Sequence, residues 1–183
     1  MKFPLIFFFC LVMSNVLAQD VLIARNAQIS FFSETPLENI SGLNKNVTAI
    51  LNTKSNDIAV KMQVVQFEFP NKLMQEHFNE NYLESDKYPA ASFTGKIQEK
   101  VDFGKEGTQT ITAKGILNMH GVAKERTMTG KLTVTKTGAS LVYEFNVPLT
   151  DHKIEVPKLV FEKIAEVIAI KTNFSFVPYE QKK

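Results

Sequence analysis

The stretch Leu141-Val142-Tyr143-Glu144-Phe145-Asn146-Val147-Pro148-Leu149 decides the fold class. Leu141, Tyr143, Phe145, Val147 and Leu149 share one phase of a two-residue period. Successive side chains of a strand point to opposite faces, so this phase can meet an interior while the other meets water. A helix would scatter the same five residues around its axis.

The period recurs outward in both directions. Ile168, Ile170, Thr172, Phe174 and Phe176 carry it toward the C-terminus. On the other side come Met128, Gly130, Leu132 and Val134, then Ile111, Ala113, Gly115 and Leu117, then Ala91, Phe93, Gly95 and Ile97. Earlier still are Ile58, Val60, Met62 and Val64, then Val47, Ala49 and Leu51, and finally Ala27, Ile29 and Phe31. Val65, Phe67 and Phe69 continue on the opposite phase, and a β-bulge at Val64-Val65 would restore both groups to one side. Polar or glycine-bearing turns occupy residues 52–57, 103–107 and 136–138. About eight amphipathic strands at this spacing predict an all-β protein, a sandwich or an eight-stranded antiparallel barrel. Closure favours the barrel, because it removes edges that would otherwise invite pairing.

Two segments break the rhythm. Pro70 precedes a run in which Met74, Phe78 and either Tyr82 or Leu83 recur at helical spacing, which predicts a short helix from Asn71. Residues 159–167 read either way: Val160, Ile164 and Val167 form a helical face, while Leu159 and Phe161 alternate as in a strand. The barrel is therefore expected to carry one or two short helices.

The N-terminus reads as an export leader. Lys2 is its one charge, the apolar run from Phe3 to Met13 follows, and Val16-Leu17-Ala18 supplies a cleavage point. Residues 1–18 are read as the leader and 19–183 as a single domain. The product is expected to be exported, and periplasmic in a bacterium with an outer membrane. The only cysteine, Cys10, leaves with the leader, so packing and sheet closure must supply stability. Net charge over the full chain is +2, with lysines scattered between glutamates. That pattern lacks the basic stripe of a nucleic-acid binder.

Chemistry-bearing motifs are sparse. His77, His120 and His152 stand far apart, with neither the spacing of a metal-ligand pair nor the zinc-protease pattern. There is no cysteine nucleophile in 19–183, no nucleophile elbow and no phosphate-cradling glycine loop. No catalytic, cofactor or metal site is expected. Phenylalanine is abundant, fifteen in all, beside four tyrosines and no tryptophan. Met62, Phe67, Phe93, Leu132, Phe145 and Phe174 suit the wall of an apolar cavity, and equally a filled core.

Two local blocks carry a family resemblance. The first is Phe78-Asn79-Glu80-Asn81-Tyr82-Leu83-Glu84-Ser85-Asp86-Lys87-Tyr88-Pro89 with Ala91-Ser92-Phe93 after it. The second is Gly115-Ile116-Leu117-Asn118-Met119-His120-Gly121-Val122-Ala123-Lys124. Together they resemble the tyrosine-proline block and the G-x-L-x-x-H-G-x-x-K hairpin of the YceI-like family of exported lipid-binding proteins. The resemblance implies a lipocalin-like barrel with a helix beside or across it. It also implies an internal tunnel for a polyisoprenoid or isoprenoid quinone, the one small molecule expected to be bound. By matching position, Leu83, Tyr88, Pro89 and Phe93 would tie the helix to the barrel, with Phe78 in the segment that opens. His120 and Lys124 would stand near a polar head at the mouth. The chain departs from the family at Ser41-Gly42-Leu43 and across residues 151–168.

The reading that follows is non-enzymatic storage or transport of an amphiphilic lipid, with transient membrane contact, by a monomer or homodimer. A packed-core envelope protein acting through its surface is the alternative, and a metal-dependent enzyme using the three histidines is the third class.

Overall fold

The computed structural model describes residues 20–156 and 164–179. The leader, Cys10 and residues 159–163 of the ambiguous late segment lie outside them. Nine strands follow in chain order: β1 Val21–Glu34, β2 Asn39–Asn44, β3 Val47–Asn52, β4 Asp57–Gln63, β5 Ala90–Ile97, β6 Gly107–Met119, β7 Val122–Thr135, β8 Gly138–Pro148 and β9 Val167–Pro178. All pairings are antiparallel, and β9 returns to β1, with Ala27 opposite Phe174, to close the sheet.

Nine strands make an eight-stranded barrel because β2 and β3 are two halves of one wall strand. Both pair with β1 on the edge opposite β9, and in one register: Ile23 faces Ile50 and Ile29 faces Asn44. The break falls at Lys45-Asn46. Buried Asn44 bridges it, accepting from the Asn46 N–H at 2.8 Å and donating to the Gln63 carbonyl at 2.9 Å. The period-two sets face inward as expected, with Leu141, Tyr143 and Val147 buried on β8 and Ile168, Thr172, Phe174 and Phe176 on β9.

The bulge expected at Val64-Val65 is instead a 3₁₀ turn, Val64–Gln66, which ends β4. Val64 is buried and Val65 is 52% exposed, so the change of phase marks the chain leaving the wall. Its backbone then pairs with β2 at one point, through paired hydrogen bonds between Leu43 and Glu68.

Beyond Pro70 the chain forms α1, Lys72–His77, capped by Asn71, whose side chain accepts from the Leu73 N–H at 2.9 Å. A π-turn, Phe78–Tyr82, continues it, with the Leu83 N–H donating to the Phe78 carbonyl at 2.9 Å. The wide turn adds a residue to the helical face, so both Tyr82 and Leu83 reach the barrel interior. Glu84, at φ 42°, ends the segment, and its carbonyl accepts from the N–H groups of Lys87 and Tyr88.

Candidate functional site

The interior is packed at one end and hollow at the other. Leu51, Ile97, Ile111, Leu132 and Leu141 are almost wholly buried and fill the first end. The second holds a cavity of about 470 Å³, within the range that takes a drug-sized ligand. Several strands switch from packed to hollow at a definite residue. On β8, Tyr143, Phe145 and Val147 line the cavity, followed by Leu149 just beyond the strand, while Ala139 and Leu141 lie below it. On β9 the change falls between Phe174 and Phe176, and on β7 between Met128 and Leu132. Tyr143, Phe174, Met128 and Ile58 therefore form a floor.

Small residues in the wall keep this space open. Gly42 pairs across the ladder with Phe31, and Gly130 with Tyr143. A Cβ on Gly130 would lie 2.7 Å from Cε1 of Tyr143, and one on Gly95 2.7 Å from Cζ of Phe93. The rings thus lie against bare backbone rather than crossing the lumen, an arrangement known for covering glycine in sheets.

Four phenylalanines close the hollow end. Phe31 stacks on Phe78 with centroids 5.4 Å apart, Phe67 meets both edge-on, and Phe69 lies 5.0 Å from Phe78. Such pairs add about 0.5–1.5 kcal/mol each beyond area burial. All four line the cavity, so α1 and its π-turn act as a roof over it.

The wall has two gaps at this end. Above Gly130 and Tyr143, β7 and β8 no longer pair, and the 3₁₀ turn Leu149–His152 fills the space. Buried His152 donates from Nδ1 to the carbonyls of Met119 and Val122, at 3.2 and 3.1 Å, and Arg126 donates to Asp151 at 2.6 Å. Burial is the largest influence on the His152 imidazole and pulls it below the ordinary histidine range, against those two hydrogen bonds. The second gap lies between β2 and the chain leading into α1, which pair only at Leu43 and Glu68. Glu38 and Ile40 line the cavity on one side of it, and Asn71, Leu73 and His77 on the other. Leu73 is 57% exposed, so the cavity opens here.

A polar cluster pins the roof. The β6–β7 hairpin turns through His120 at φ 52° and Gly121 at φ 70°, the two positive angles of a type I′ turn. His120 is buried, with Nδ1 3.0 Å from the His152 carbonyl and Nε2 2.8 Å from Glu84. Tyr88 meets its ring edge-on at 4.4 Å and passes so near Gly121 that a Cβ there would lie 2.6 Å from Cε1.

The YceI-like domain model matches residues 21–176, from the first strand of the barrel almost to the end of the last. The chain belongs to the YceI-like family. Comparison with curated protein sequences finds no match. Among solved structures, a polyisoprenoid-binding domain from Saccharophagus degradans, implicated in plant cell wall breakdown, superposes with a TM-score of 0.74 at 10% identity. The match covers 88% of this chain and 99% of that one. Burkholderia cenocepacia BcnA gives 0.64 at 12% identity over 81% and 94%. The Campylobacter jejuni YceI protein gives 0.61 at 17% over 76% and 85%. Membership makes this a lipid-binding barrel of a non-enzymatic kind.

Within this YceI-like barrel, Met62, Phe67, Phe78, Leu83, Phe93, Phe145 and Phe174 line the cavity. Leu132 lies in the packed end beneath the floor. Tyr88 and His120 sit behind the lining, where both ring nitrogens of His120 are already engaged by protein acceptors. Lys124 is exposed on β7, opposite Leu117 of β6 and outside the lining. Sequence reading did not pick out Glu38, Asn71, Leu73 or His77 at the mouth. For Asn71 and Leu73 the signal was adjacency to Pro70 and to the helix start, which carries no information about a gap in a wall, and Glu38 and His77 carried none. His77, His120 and His152 do not form a common site: His77 is at the mouth while the other two belong to the pinned cluster, and no group of three or more metal-binding side chains converges among the described residues.

Proposed function

We propose that the protein stores or carries a long-chain amphiphilic lipid, a polyisoprenoid or isoprenoid quinone, without altering it chemically. The observation that carries this reading is the one-ended apolar cavity, roofed by four phenylalanines and open beside α1. Burial of hydrocarbon there yields about 0.8 kcal/mol per CH2, so a few isoprene units suffice for retention. The polyisoprenoid-binding domain with the same fold supports the choice of ligand class. The apolar, weakly charged leader supports export, to the periplasm in a bacterium with an outer membrane. Loading then calls for brief contact with a membrane, and Leu37 and Leu73, both more than half exposed near the mouth, suit that contact. The protein acts as a monomer or homodimer.

Native mass spectrometry of the protein from its own host, followed by extraction, tests the reading. A stoichiometric isoprenoid is the expected result. A clean apo mass that is unchanged by incubation with isoprenoid quinones would sink it.

A further inference from the structure

The carboxylate, amide and imidazole of the cavity lining lie at its margin, and hydroxyls are the polar side-chain groups elsewhere in the described lining. Among the described lining residues, the exposed ones are Asn71, Leu73 and His77, and Glu38 stands across the mouth. The floor is closed by Tyr143 and Phe174, above fully buried side chains. A ligand long enough to fill the space therefore enters hydrocarbon end first and leaves its head at the margin.

The charge of that margin is one-sided. Among the described residues no lysine or arginine lines the cavity, and Glu38 is the only acidic side chain that does. Lys72, beside Asn71, is exposed and outside the lining. Oδ1 of Asn71 is occupied as the cap of α1, which leaves its amide nitrogen as the donor on offer. A carbonyl can accept from that nitrogen, and a hydroxyl can donate to Glu38. A phosphate placed there would meet a carboxylate, with no lysine or arginine among the described lining residues to offset it, against a low-dielectric wall where repulsion is strengthened.

We infer that the Glu38–Asn71–His77 margin selects isoprenoid lipids with uncharged, oxygen-bearing heads over the same chains ending in phosphate. This rests on the lipid-holding function proposed above and narrows its substrate class.

The test is displacement of the neutral dye Nile red from the purified protein by farnesol and by farnesyl phosphate, which share one hydrocarbon chain. Farnesol should displace the dye at a concentration at least tenfold lower. In Glu38→Lys the gap should narrow at least threefold. Equal or tighter binding of the phosphate by the wild-type protein overturns the selectivity but leaves the isoprenoid cavity standing. An unchanged ratio in Glu38→Lys overturns the part given to Glu38. Failure of both compounds to displace bound dye overturns the isoprenoid reading, and this inference with it.

Discussion

The carboxylate of Glu84 lies 2.8 Å from Nε2 of His120, while Nδ1 of the same ring faces the His152 carbonyl at 3.0 Å. Each ring nitrogen therefore has an oxygen of another element within hydrogen-bonding distance. One buried side chain thus joins the end of the roof, the β6–β7 hairpin and the turn that plugs the β7–β8 gap.

His120→Ala removes both bonds and leaves the His152 carbonyl without its partner. The expected cost is about 2–3 kcal/mol, a fall in Tm of roughly 5 °C or more. Thermal unfolding followed by circular dichroism measures it. A Tm within 1 °C of wild type, on the order of experimental error, would show that the cluster does not hold the roof.

Val60, Phe93 and Leu117 form one cross-strand row, and all three line the cavity. Val60→Phe combined with Leu117→Phe puts two more rings into that row and should fill the lumen. Overpacking is expected to cost no more than about 1–3 kcal/mol, because the added atoms enter space rather than neighbours. Bound lipid, measured by extraction and mass analysis, should fall at least tenfold while the fold persists. Full lipid loading in the double variant would argue that the ligand sits elsewhere.

The Tyr143 hydroxyl is buried without a hydrogen-bond partner among the described residues. Burial first, and then the negative charge of Glu99, push its phenol above the ordinary tyrosine value of about 10. A raised folded value means that its contribution to stability is complete below pH 10 and is lost as pH climbs past 10 toward that value. Tyr143→Phe should therefore flatten the alkaline decline in stability, and at neutral pH it should stabilise by about 1 kcal/mol. Urea unfolding at pH 8 and pH 11 distinguishes the two effects, and a loss of stability at pH 8 would contradict the account.

For His152 the sign is reversed. Its folded value is depressed below the ordinary 6.5, so the unfolded chain takes up the proton first as pH falls. Its contribution is complete above 6.5 and is lost below that value. Denaturation midpoints measured from pH 7.5 down to 5 should decline, and His152→Gln, which keeps a donor for the Met119 and Val122 carbonyls, should reduce the slope. A slope equal to that of wild type would assign the acid limb to other groups.

Much of the architecture was legible in single residues. Leu141, Tyr143 and Val147 on β8, or Ile168 and Phe174 on β9, announce the inner face because strand geometry forces alternate residues to opposite sides. The same rule cannot say whether that face is filled. Leu141 and Phe145 share one phase, yet one is packed beneath the floor and the other lines the cavity. What separates them is which glycines and rings lie opposite, a property of several strands at once. The 39–44 strand escaped notice because Ser41 and Gly42 interrupt its apolar pattern, although Gly42 is small for the benefit of Phe31. The resemblance places His120 at the mouth and Tyr88 at the tie between helix and barrel, and the partners of His120, Glu84 and His152, are too distant from it in sequence for spacing to reveal the cluster.

The layer of Tyr143, Phe174, Met128 and Ile58 fixes how far down the barrel the open space extends. It works as a stop in a gauge: the strands continue past it unchanged, and only the side chains at that level decide the usable depth. Longer and shorter lipids can then be accommodated by exchanging a handful of side chains for smaller or larger ones. The sheet, the roof and the mouth need not be rebuilt, so tail length and head chemistry can be altered independently at opposite ends of one chamber.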